Sequence, residues 1–244
     1  MSLNIRGYLI WLIVTLFVVY AFFLNTAGAV FSNAFKETLQ LSDIGAAFAV
    51  GSFVLGFACM QIPAGYLLDR FPIRIVASGG LFLLALGNLT LTASTSLSLF
   101  AVSNFMQGLG ASFAFIAVGK LIGEWFAPNM FPILFGLTQT ISCVLTAIIH
   151  YFLVKALEAV SWQTIYLEFS AFGFALFVLM LLFVKSPPHA KAQHLLSLRN
   201  SLSTVVRNKQ MWLCSLAAAT SFGVLAAYGS FWYMQVEQYF AVDL

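Results

Sequence analysis

Charge is what this sequence has least of. Asp, Glu, Lys and Arg together make up 8% of it, while 61% of the residues are hydrophobic; a soluble globular domain carries roughly a quarter charged residues. A chain so composed cannot turn a charged coat to water on every side, and a bilayer is the solvent it fits. Its net charge of +3 is too small to form a nucleic-acid footprint. Cysteine is also scarce: Cys59, Cys143 and Cys214 each fall inside an apolar run, which gives no disulfide framework and no metal-ligand spacing. They read as small packing residues. The chain has no Gly-x-Ser-x-Gly elbow, no His-Glu-x-x-His pair and no phosphate-cradling loop. Gly108-Leu109-Gly110 places Phe113 where a dinucleotide loop needs its third glycine. The sequence therefore offers no catalytic residue, no cofactor site and no metal site.

What it has in abundance is apolar runs of bilayer length, about 20 residues. They can be laid out as Tyr8 to Phe31, Ile44 to Leu68, Ile73 to Leu91, Leu97 to Ile122, Ile133 to Val154, Thr164 to Val184 and Met211 to Val236. Helices are expected, because a helix satisfies its own backbone hydrogen bonds in lipid. The fold class is thus all-α, a polytopic transmembrane helix bundle. Arg6 before the first run and Ala27-Gly28-Ala29 within it suggest a signal peptide, but the run is longer than the 7–15 apolar residues of a secretory signal. When the loops are assigned alternately to the two sides, Arg6, Arg70, Arg74, Lys120, Lys185, Lys191, Arg199, Arg207 and Lys209 share one side, and Lys36 and Lys155 the other. Basic loops stay inside, so the amino terminus is expected in the cytoplasm, for a protein of the plasma (inner) membrane. The longest connection, residues 185–210, opens with Ser186-Pro187-Pro188; it then places Leu195, Leu198, Leu202, Val205 and Val206 at helical spacing opposite Arg199, Asn200, Ser203 and Arg207. That pattern predicts an amphipathic helix on the membrane surface. Three segments follow: a six-helix bundle over 1–184, a linker over 185–210 and a seventh span over 211–244.

Small residues let helices approach closely in lipid. Ser52-x-x-x-Gly56, Gly80 with Gly87, Gly108-x-x-x-Ser112 and Gly119-x-x-x-Gly123 mark faces of the second, third and fourth spans. The sixth span is dominated by Phe, Leu, Val and Met and is expected at the periphery. Polar residues show the complementary pattern. Thr138, Ser142, Thr146 and His150 recur every four residues and form one stripe, which should look inward. Asn25 and Thr26 in the first span, Asn104 and Gln107 in the fourth, and Ser221, Tyr228, Trp232 and Gln235 in the seventh complete a set of candidate walls for a solute cavity. Ionisable groups within spans are functional suspects. Lys120 and Glu124, four apart, are expected to form an intrahelical ion pair, and a pairing of His150 with Glu168 is conceivable at the far end.

Between the second and third spans stands Gly65-Tyr66-Leu67-Leu68-Asp69-Arg70-Phe71-Pro72-Ile73-Arg74. It resembles the loop signature of the major facilitator superfamily, Gly-x-x-x-Asp-Arg-x-Gly-Arg-Arg/Lys. Gln107-Gly108-Leu109-Gly110-Ala111, Trp125-Phe126 and Trp162 add to the likeness. The resemblance implies a transporter built of two six-helix halves that rock about a midplane site, with this loop latching the halves on the cytoplasmic side. By carry-over Asp69 is the latch acid, Arg70 and Arg74 are its basic neighbours, and Gly65 is the point of close helix approach. Pro72 in place of glycine and Ile73 in place of a basic residue imply a differently shaped latch. Asn104 stands where many proton-coupled members carry arginine, which argues against coupling of that type.

The resemblance covers the first half of such a fold and one further span. The chain is accordingly expected to be a half-transporter or a truncated fragment that needs a second chain or a missing C-terminal half, with the lipid bilayer and a small-molecule solute as its other partners. A membrane scaffold, using its small-residue faces to hold other helices without moving solute, is the competing reading.

Overall fold

Five helices of the first unit start at a recognisable local signal, and the signals differ between the two ends of that unit. Ser42, Ser96 and Ser161 lie just before three helices and accept hydrogen bonds from the backbone N–H groups of Gly45, Leu99 and Thr164, respectively. Each thereby satisfies one donor that a helix start leaves free. Helices starting at the opposite end use proline instead: Pro72 precedes one, and Pro132 sits in the first turn of another, where its missing N–H costs nothing. The computed structural model describes residues 3–185, 203–204, 206–221 and 223–224, and the chain divides into two compact units, Met1–Gln193 and His194–Leu244.

In the first unit the helices are α1 (Leu3–Val30), α2 (Ser32–Leu39), α3 (Asp43–Arg70), α4 (Ile73–Thr92), α5 (Leu97–Ala111), α6 (Phe113–Trp125), α7 (Phe131–Leu157) and α8 (Trp162–Phe183). A single 3₁₀ turn, Pro128–Met130, leads into α7. Among the described residues, six helices are long and apolar enough to cross a membrane, with α5 and α6 forming one of them over Leu97–Trp125. These are the first six of the expected spans, and the protein is an integral membrane protein. The fourth is broken at Ser112, whose hydroxyl donates to the Leu109 carbonyl at 2.7 Å, a competition for backbone groups that bends helices.

Glycine sets the closest approaches. A Cβ on Gly56 would strike the carbonyl of Phe105, and one on Gly108 the carbonyl of Phe53, so α3 and α5 touch backbone to backbone. On the other side of α5, a Cβ on Gly87 would lie 2.8 Å from the Gln107 nitrogen, and one on Gly110 would strike the backbone of α4 at Leu84. The glycine and serine pattern of the second, third and fourth spans thus does pack three helices together. Gly119 and Gly123 do not share in this, since the nearest atom to a Cβ on Gly119 is a ring carbon of Phe135 at 3.6 Å and none lies within 4 Å at Gly123.

One expectation from the sequence is corrected here. The cysteines are free but exposed rather than packed. The sixth span, α8, lies at the edge of the unit as its composition suggests: its apolar window is 33% buried, against 50% and 72% for α4 and α1, the helices it packs on. The sequence also gives no sign of α2. This short helix drops Phe35 into a ring cluster with Phe31, Phe100, Trp162 and Tyr166, and Trp162 donates its indole N–H to Thr38 at 3.1 Å. It ends at Gln40 in the left-handed region, φ 50°.

In the second unit, residues 209–221 are helical, as are 203–204, 206–207 and 223–224. Trp212 donates to the Val206 carbonyl at 2.8 Å. The remainder of the expected amphipathic helix, including Leu195, Leu198, Leu202 and Val205, lies outside the described residues, as do Tyr228, Trp232 and Gln235.

Candidate functional site

The loop that joins α3 to α4 is where sequence and structure meet most directly. Asp69 and Arg70 occupy the last turn of α3, and both are exposed, as is Arg74 in the first turn of α4. A carboxylate at a helix C-terminus faces the negative end of the helix dipole, which costs about 0.3–1 kcal/mol. Asp69 is therefore placed against the dipole of its own helix and adds nothing to the stability of that helix end. Arg70 lies over the ring of Tyr66, 4.3 Å from its centroid. Gly65 makes no close approach within this unit: among the described residues nothing lies within 4 Å of where its Cβ would be.

Beneath the loop, Lys120 of α6 donates from Nζ to the carbonyl of Leu68 and lies 3.8 Å from Glu124 Oε1. The expected intrahelical ion pair is formed, and the same ammonium also reaches across to the end of α3. Alongside it, Trp125 donates to the Lys185 carbonyl at 3.1 Å, and Phe126 packs edge-on against Tyr8 with ring centroids 5.0 Å apart.

The polar stripe of α7 does turn inward, and its neighbour is α1. Thr138 accepts from the indole N–H of Trp11 at 3.0 Å and gives its own proton to the Leu134 carbonyl at 2.9 Å. The hydroxyl of Thr15, 3.3 Å away, is then the donor of that pair. Ser142 donates to the Thr138 carbonyl at 2.8 Å. Thr146 is buried, and its hydroxyl meets no partner among the described residues. His150 lies 3.4 Å from the hydroxyl of Thr26 and packs on the ring of Phe23. It does not pair with Glu168, which is exposed on α8.

Asn104 and Gln107 form a second, separate set on α5. Asn104 donates to the Phe100 carbonyl of its own helix at 2.9 Å, and Gln107 reaches the Gly87 carbonyl of α4 at 3.5 Å. Neither bonds to the α7 stripe. Of the candidate wall residues described in the first unit, Asn25 and Thr26 keep half-exposed side chains, Thr26 against His150; Asn104, Gln107, Thr138, Ser142 and Thr146 are buried between helices of the unit.

Sequence reasoning missed two polar groups. Trp11 and Thr15, four apart on α1, complete the α7 stripe, and that spacing was the available signal. Asn88 of α4 is wholly buried, donating to the Tyr166 carbonyl at 3.0 Å and the Ser170 hydroxyl at 3.1 Å. Nearby, Tyr20 of α1 donates to the Phe169 carbonyl at 2.9 Å.

The sequence profile of the Major Facilitator Superfamily matches residues 12–243. Sialin of Ovis aries is 23% identical over 199 residues, covering 75% of this chain and 38% of that protein. Multidrug resistance protein MdtL of Shewanella oneidensis is 24% identical over 150 residues, covering 60% of this chain and 36% of its own length. The crystal structure of a bacterial homologue of the human lysosomal transporter Spinster, in its inward-facing and unoccupied conformation, superposes with a TM-score of 0.73 at 16% identity, covering 98% of this chain and 57% of that one. This chain thus spans under two-fifths of the length of those two curated relatives.

Proposed function

The chain belongs to the Major Facilitator Superfamily, and on that premise we propose that its first unit is one half of a secondary transporter that moves a small solute by alternating access against a second helical bundle. The observation that carries this reading is the state of α3 and α7. Their apolar windows are 33% and 22% buried, and Gly51, Gly65 and Gly136 on them meet nothing within 4 Å among the described residues. Open small-residue faces on two spans suit a helix partner, and Asp69, exposed at the end of one of them, suits a latch to that partner. In this reading the 65–74 loop is cytoplasmic, as is the amino terminus, and the membrane is the plasma (inner) membrane.

The half-exposed Asn25 then faces the solute path. The buried seam of Trp11, Thr15, Thr138 and Ser142 holds α1 against α7, so that the path wall moves as one piece. Relatives named for sialin and for multidrug resistance keep both anionic and drug-like solutes in play.

The test needs no knowledge of the solute. With Cys59, Cys143 and Cys214 replaced by serine and Asn25→Cys introduced into the full chain in native membranes, a membrane-impermeant maleimide is applied to right-side-out and inside-out vesicles. Alternating access requires labelling from both sides. Labelling from one side alone, or from neither, supports the scaffold reading instead.

A further inference from the structure

We propose that Lys120 is the positioning residue of the 65–74 loop, holding the end of α3 so that Asp69 is presented in one orientation; this rests on the latch reading above. Leu68 and Ile73 anchor the two ends of the loop in the core, but its polar backbone at the end of α3 needs a partner. Phe71 donates its N–H to the Leu67 carbonyl at 3.0 Å, which closes the last turn of α3. The next carbonyl, that of Leu68, is one of the four that a helix end leaves without an intrahelical partner. Leu68 is fully buried, so water cannot satisfy it, and an unpaired buried carbonyl is costly. Lys120, 52 residues further along the chain, supplies the donor. A cation there also opposes the negative end of the α3 dipole, the end at which Asp69 adds a second negative charge.

Lys120 is itself held. Glu124 Oε1 lies 3.8 Å from its ammonium one turn on, and Glu124 Oε2 is buried with no partner of its own among the described residues. Lys120 therefore stands between a carboxylate on α6 and a carbonyl on α3, the residue immediately before the latch acid. A single side chain couples the span that carries Asn104 and Gln107 to the loop that would grip the second half. An intrahelical ion pair alone has no reason to involve Leu68, and a mere surface charge has no reason to be half-buried.

The experiment is hydrogen–deuterium exchange on the full chain in lipid nanodiscs, comparing the native protein with Lys120→Met, Lys120→Arg and Glu124→Gln. Lys120→Met should speed amide exchange over residues 66–71 by about tenfold, the order expected when one charge-assisted hydrogen bond is lost. Residues 92–97, at the far end of the same unit, should exchange as before. Lys120→Arg, which keeps a donor and a positive charge, should restore slow exchange, and Glu124→Gln should give a smaller increase confined to the same segment. Unchanged exchange at 66–71 in Lys120→Met overturns the proposal, as does an increase spread equally over both segments or one that Lys120→Arg fails to reverse. The latch reading fails separately: if Asp69→Asn leaves vesicle labelling at Asn25→Cys unaltered while the Lys120 variants behave as expected, Lys120 braces a loop that latches nothing.

Discussion

On one side of α3, Gly56 lies so close to α5 that a methyl group would strike the Phe105 carbonyl; on the other sides of the same helix, Gly51 and Gly65 meet nothing within 4 Å among the described residues. The same residue type thus does two jobs in one helix. Where two backbones touch, glycine is required by space, and the contact is the strongest kind available in lipid, where no hydrophobic drive pulls helices together. Where glycine faces outward from the unit, space does not require it, and its lower helix propensity, about 1 kcal/mol relative to alanine, is tolerated without a visible return inside the unit. A packed glycine builds this bundle; an open one is free of that constraint, and in the proposed function it is where a partner helix would seat.

The comparison breaks first, if it breaks, at the packed face. Gly108→Val drives two methyl groups into the Phe53 backbone and should destabilise the unit by about 3 kcal/mol or more, read as a large fall in the melting temperature of the purified chain in detergent. A melting temperature close to native would mean that the α3–α5 contact is not what holds these helices. Next in size comes a polar contact within the same core. Asn88→Leu strips the Tyr166 carbonyl and Ser170 of their donor and should cost about 1 kcal/mol, at the upper part of the range for interhelical hydrogen bonds. Thr138→Val removes the acceptor of Trp11 and should cost somewhat less, about 0.6 kcal/mol, in the same assay. The open face gives the smallest effect on stability. Gly136→Ala and Gly51→Ala should leave the melting temperature unchanged or slightly raised, within about 0.5 kcal/mol. The bulkier Gly136→Trp should leave the unit folded but abolish labelling of Asn25→Cys from one membrane side. A fall in melting temperature with Gly136→Ala would remove the distinction between the two faces.

The six spans of the first unit were legible because their signal is composition over a bilayer length, which does not depend on neighbours. The loop motif was legible for a related reason: its residues are contiguous, so chain order alone brings Asp69, Arg70 and Arg74 to one end of the bundle. The stripe of Thr138, Ser142 and Thr146 was legible as a face, since its spacing matches the helix period. Which helix it would face was not, and neither was the role of Trp11 and Thr15, because interhelical partners are set by packing. For the same reason Asn104 and Gln107 turned out to bond within α5 and to α4 rather than join the α7 stripe. The cysteines were misread because an apolar run shows that a helix is in lipid and not which of its sides is turned inward. The edge position of α8 was legible from its large side chains, several of which stay exposed, but not that Gly173 and Ser170 would seat it against α1 and α4.

Composition and order along the chain determined that this protein lives in a membrane, how many helices of its first unit cross it, and that a charged loop marks one end. All three follow from local physics: a backbone in lipid must bond to itself, and neighbours in sequence stay neighbours in space. Tertiary structure alone decided which glycines carry backbone contacts, which polar stripe meets which helix, and that Lys120 reaches Leu68 across 52 residues, because each of those depends on how helices distant in sequence lie side by side.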